Sequence, residues 1–140
     1  MQEFWLARAR MRDTLPARLR MYWEALNDWA GEEVEAVLQT LPDEIRAATS
    51  RLVIFVEDIP SAEDRECGVG TDWLGIFEGA TVRDFHTMHP PRIRLWAGNL
   101  WRYSGANERR FRDEVRLTVL HEIGHFLGLD EDGVARLGLA

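Results

Sequence analysis

His121 and His125 stand four residues apart, with Glu122 directly after the first, in the stretch HEIGHFLGLDEDG at residues 121–133. On an α-helix, residues i and i+4 lie one above the other on one face, so the two imidazoles can reach a single ion. A glutamate between them can take a proton from water held at that ion. The chemistry open to such a trio is metal-assisted hydrolysis, and zinc suits a tetrahedral set of nitrogen and carboxylate ligands. Two histidines leave the set one short, because a catalytic zinc takes three protein ligands and keeps a fourth position open.

Gly128 falls three residues past His125, where a left-handed backbone turn can end the helix and swing the chain back. The pattern then reads H-E-x-x-H-x-x-G-x-x-E, which makes Glu131 the expected third ligand. Asp130 and Asp132 flank it and are rivals, because side-chain directions in a turn do not follow from spacing. The acids that do not ligate would be surface groups or would hold a ligand histidine's second nitrogen. So few residues follow Gly128 that a ligand on a distant downstream helix is not expected.

The motif needs a helix that packs on one side and presents chemistry on the other. With Val115 at zero on a helical wheel, Phe126, Val119, Ile123, Leu127 and Leu120 share one broad arc. His121 and His125 fall together outside it, with Thr118 and Glu122 between them and the core. A helix is therefore expected from about Glu108 through the motif. Upstream, Pro16 suits the first turn of a helix through Leu19, Trp23 and Leu26, and Asp28 suits the cap of a second helix that ends at Pro42. A short helical piece is expected over Asp43 to Ala48. Strands are expected at Leu52 to Val56, Trp73 to Phe77 and Ile93 to Trp96, with the acid-rich 57–72 as a surface loop. Helices, then strands, then a helix is an α+β order. Residues 1–27 read as an arginine-rich helical extension and 28–140 as one compact domain.

Composition narrows the partners. The net charge of -7 opposes nucleic acid as a partner, since that needs a clustered positive face. Cys67 is the only cysteine, so neither an intrachain disulfide nor a cysteine-rich metal cage can form. No apolar run reaches bilayer length and no secretory leader is visible, so no membrane partner and a cytoplasmic location are expected. His86 and His89, in FHTMHPPRI, read as a polar loop pair. No arginine, histidine or tyrosine sits at a spacing that assigns an oxyanion stabiliser, which leaves His86, His89 and Tyr103 as candidates. Trp73 to Phe77 reads either as an ordinary sheet strand or as a strand that borders the cleft and takes up an extended peptide.

HEIGHFLGLDED, with the blocks VEAVLQTLPDEIR, LVIFVEDIP, LGIFEG and PPRIRLW upstream, resembles the bacterial minimal zincin-like domain, a family of probable zinc metallopeptidases with a pared-down metzincin-type fold. The resemblance spans about residues 28 to 133. It implies a small mixed β-sheet, N-terminal helices and a C-terminal active-site helix. It also implies Zn2+ as cofactor, His121, His125 and Glu131 as ligands, Glu122 as general base, and a peptide or protein as substrate. Related members carry aspartate where Glu131 stands, and no methionine follows Met88 to form the turn found beneath the metal in full metzincins. Two other readings share the motif: a non-enzymatic, metal-stabilised peptide-binding domain, and a metal-dependent endoribonuclease whose helix ends in a similar glycine turn.

Overall fold

Trp23, Leu26, Ala30, Val34 and Val37 recur every three or four residues and are all buried. In the computed structural model, which describes residues 17–82 and 90–136, this stripe belongs to one uninterrupted helix, α1, Ala17–Thr40. The break expected at Asp28 is absent. Asp28 is an exposed mid-helix residue, and the buried stripe runs past it on the other side. Burying that stripe outweighs a helix-propensity cost of at most about 0.7 kcal/mol for the aspartate. Residues on both sides of position 27 thus share one helix. Pro16 and the arginine-rich segment before it lie outside the described residues.

Pro42 precedes the short helix α2, Asp43–Ala48, as expected. A single 3-10 turn, Thr49–Arg51, then leads into a three-stranded sheet. Its strands are β1 (Val53–Glu57), β2 (Gly75–Glu78) and β3 (Arg92–Trp96), in the order β1-β3-β2. The central β3 runs parallel to β1 and antiparallel to β2. Three helices fall where none is expected: α3 (Ala62–Glu66) inside the acidic loop, α4 (Ala97–Tyr103) directly after β3, and the last short helix at Glu131–Arg136. Helix α5, Glu108–Phe126, starts where the side chain of Asn107 accepts the Arg110 N–H at 3.0 Å. A last short helix, α6, covers Glu131–Arg136.

The architecture is α+β, with α1 and α5 packed on one face of the sheet. Ile54, Val56, Ile93 and Leu95 meet the α1 stripe and Phe111, Val115, Val119, Ile123 and Phe126 of α5 in one apolar cluster. No helix among the described residues is long and apolar enough to cross a membrane.

The other face of the sheet is held by charge. Arg94, on the central strand, donates to both carboxylate oxygens of Glu57 at 2.6 and 2.9 Å and to both of Asp64 at 2.8 and 2.7 Å. A further bond to Glu78, at 3.0 Å, ties in β2. One guanidinium therefore joins all three strands to α3, and Asp64 also closes a reciprocal cap with Ser61 on that helix. Hydrogen bonding to Arg94 holds the Asp64 carboxyl far below the usual carboxylate range. Glu78 ends below it too, because Arg92 and Arg94 overcome the upward push of burial. A carboxylate whose pKa is depressed in the folded state stabilises that state at neutral pH, and the contribution is lost as pH falls below about 4. Arg94→Met is expected to cost about 2–4 kcal/mol at pH 7, since it takes the arginine from Glu57 and Asp64 and leaves Glu78 with Arg92 alone. Urea unfolding at pH 7 and pH 3 should show a smaller loss of stability on acidification for the variant than for the wild type.

Candidate metal centre

Helix α5 buries Val115, Val119, Ile123 and Phe126, and this leaves His121 and His125 on its flank, with side chains 29% and 26% exposed. Gly75 lets β2 come close to that flank. A β-carbon there would stand 2.9 Å from the Thr118 methyl and 3.0 Å from the Arg94 carbonyl oxygen, so any larger residue would push strand and helix apart. The Phe77 ring meets Phe126 at 5.7 Å and anchors the same strand about two turns further along the helix.

Helix α5 ends in a glycine turn with two characteristic bonds. Gly128 adopts φ +85, its N–H donates to the His125 carbonyl at 2.9 Å, and the Leu129 N–H donates to the Gly124 carbonyl at 3.1 Å. This is the Schellman arrangement, which needs the left-handed residue that glycine supplies without strain. The turn brings the Leu129 carbonyl back to Nδ1 of His125, 2.9 Å away. A carbonyl only accepts, so Nδ1 carries the hydrogen and the neutral ring keeps its Nε2 lone pair free. The Asp130 carboxylate then accepts the Gly133 N–H at 2.7 Å and caps α6, so Glu131 stands in the first turn of that helix.

Three donor atoms converge as a result. Nε2 of His125 lies 3.1 Å from Nε2 of His121 and 2.9 Å from Oε1 of Glu131, and Nε2 of His121 lies 3.2 Å from Oε2 of Glu131. Among the described residues, these three form the group of metal-ligating side chains whose donor atoms come together. Ligands bound tetrahedrally at about 2.0–2.1 Å stand roughly 3.3 Å apart, and one donor atom from each of the three residues lies within 4.8 Å of the others, so the group is of a size to close on a zinc-sized cation. The chemistry of the donors fits as well. With His125 neutral, a free Nε2 lone pair faces a carboxylate, an arrangement that a metal cation between them satisfies. Of the three rival acids, Asp130 is used as a cap, Asp132 lies outside the group, and Glu131 reaches the histidines.

Glu122 is buried on the opposite side of the histidines, toward β2. Burial pushes its carboxyl above the usual glutamate range, while His125, His121 and a hydrogen bond from the Phe77 N–H act against that. That N–H belongs to the free edge of the sheet. Leu74 accepts the Trp96 N–H at 2.9 Å, and the register sets Gly75 opposite Leu95 and Phe77 opposite Ile93. Bonded and non-bonded pairs alternate along an antiparallel ladder, so the backbone groups of Gly75 and Phe77 point away from β3. Strand β2 therefore borders the cleft: its Phe77 N–H bears on Glu122, and among the described residues its Gly75 N–H and C=O have no partner. The Leu129 carbonyl, the Asp130 cap and this edge donor are all parts of the site that residue spacing misses.

Cys67 is exposed at the end of α3 and is no part of the metal group. Tyr103 lies on α4 and is 66% exposed. His86 and His89 lie outside the described residues. Glu131→Ala should weaken zinc binding at least tenfold and Asp132→Ala should leave it unchanged, as measured by competition with a chromophoric chelator. Gly128→Ala forces a left-handed alanine at a cost of about 1–2 kcal/mol. It should also loosen the Leu129–His125 contact, with a loss in zinc affinity of about 10- to 100-fold in the same assay.

No curated protein matches the chain. A family model described as zincin-like metallopeptidase matches residues 49–139, a span that takes in the sheet, α5, the Schellman turn and α6. The chain therefore belongs to the zincin-like metallopeptidase family.

Proposed function

We propose that the protein is a zinc-dependent peptidase in which His121, His125 and Glu131 hold the metal and Glu122 is the general base. The observation that carries this reading is one juxtaposition: a buried carboxylate beside three converging metal donors, at an open strand edge. A metal kept only for stability would account for the donors and not for Glu122, whose raised proton affinity suits proton transfer. The net charge of -7 further favours a peptide over a polyanion as substrate.

When bound, zinc supplies Lewis-acid polarisation of a carbonyl and makes water acidic enough to lose a proton near neutral pH. Glu122 accepts that proton on its carboxylate. Its burial strengthens it as a base, and the backbone N–H of Phe77 opposes that upward push. The same carboxyl then passes the proton to the amine that leaves the cleaved bond. The Gly75 N–H and C=O bind the substrate backbone as an added strand. An antiparallel peptide satisfies both groups through a single residue, and that pairing is the more stable per residue.

The test compares zinc-loaded wild type with Glu122→Gln on a library of unstructured peptides. The wild type should cut, and the variant should keep about one zinc per chain while it loses activity by roughly 10²–10⁴-fold. If the zinc-loaded wild type cuts nothing across the library, the peptidase reading is wrong and a metal-stabilised binding domain replaces it.

A further inference from the structure

The open edge of β2 is short, and its end coincides with a cavity. One position beyond Leu74, the backbone groups of Trp73 are already taken. Its N–H donates to the Gly70 carbonyl at 3.3 Å, and its carbonyl accepts Nδ2 of Asn99 at 2.9 Å. Asn99 is 4% exposed and donates from the same nitrogen to the Thr71 carbonyl at 2.9 Å, so the approach to β2 is fastened from within. A peptide paired at Gly75 finds no further backbone partner at Trp73 and must leave the sheet there.

At that point lies a cavity of about 340 Å³ lined by Asp72, Leu74, Asn99, Arg102 and Tyr103. Leu74 belongs both to the cavity lining and to the run into β2, so the cavity adjoins the start of the strand. The direction follows from antiparallel pairing, which lays the C-terminal part of the substrate toward the N-terminal end of β2. Phe77 and Leu74 are three residues apart, or about 10 Å at ~3.3 Å per residue. A substrate residue about three positions after the cleaved bond therefore reaches the cavity. Leu74 and Tyr103 offer apolar surface, and Tyr103 leaves 66% of its area open for contact. Arg102 and Asp72 bring opposite charges, so neither sign of side chain is favoured.

On the peptidase reading, which this inference rests on, we propose that this cavity is a specificity subsite. It selects a large uncharged side chain, aromatic or aliphatic, about three residues C-terminal to the cleaved bond, with Tyr103 as the determining residue. Tyr103→Ala is the informative variant, because so exposed a side chain can be removed without disturbing the core.

Peptides that differ only at the third residue after the cut, with Phe, Leu, Gly, Glu or Arg there, are compared on zinc-loaded wild type and Tyr103→Ala. Phe and Leu should raise kcat/KM about five- to tenfold over Gly, mainly through KM, with Glu and Arg no better than Gly. In Tyr103→Ala the ratio should fall to near one. Equal rates in the wild type, a preference for a charged residue, or a preference that survives in the variant would each overturn the subsite. Fluorescence anisotropy of labelled Phe and Gly peptides on zinc-loaded Glu122→Gln, with and without Tyr103→Ala, gives a readout free of turnover. If the wild type cuts nothing, the peptidase reading falls and anisotropy alone decides the pocket. Tighter Phe-peptide binding that Tyr103→Ala abolishes supports the pocket, and equal binding removes it.

Discussion

The distance between α5 and β2 governs everything at this site. The Phe77 N–H bears on the Glu122 carboxyl because the helix and the strand edge lie close together. A β-carbon at position 75 would already crowd the Thr118 methyl and the Arg94 carbonyl. One absent methyl group thus permits the contact that seats a carboxylate beside two imidazoles. The Phe77–Phe126 ring pair and the apolar packing of α5 hold the spacing once it is reached.

Opposite that packed face, the sheet is secured by a device of a different kind. Every base in this chain is an arginine, and at position 94 the difference from lysine matters. A planar fork can grip Glu57 and Asp64 with two bonds each and still reach Glu78, which a single ammonium cannot do. Among the described residues the sheet has three short strands, near the lower limit for a stable sheet. A shared counter-ion across all of them compensates for the missing ladder. It also fastens the acidic segment 57–72, whose far end runs into β2 and the cleft.

Much of this is legible in the sequence where periodicity is strong. The two-faced pattern around Val115 gives α5 and the placement of His121, Glu122 and His125, and the three strands stand out as apolar runs between turn signals. The third member of the candidate metal group is legible as Glu131 with Asp130 and Asp132 as rivals, because side-chain directions there depend on which acid caps α6. That helix has six residues and too little periodicity to be seen. Helix α4 is hidden for a related reason. AGNLWRY contains poor helix formers, and it is held by tertiary contacts such as the Gly98 N–H on the Asp58 carbonyl at 2.8 Å. At Asp28 the local capping preference is real, and the buried stripe of α1 overrides it. The segment Ser61 to Asp64 is the opposite case: S-x-x-D is a readable start signal inside a stretch whose acidity suggests only a loop.

The exposure of Glu131 has a consequence for the candidate metal group. Its side chain is 73% exposed, against less than a third for each histidine. Two of the three donor groups are thus built into a long helix, while the third rides on a helix too short to persist by itself. A cation held by all three, as proposed, would couple its own binding to the ordering of that short helix.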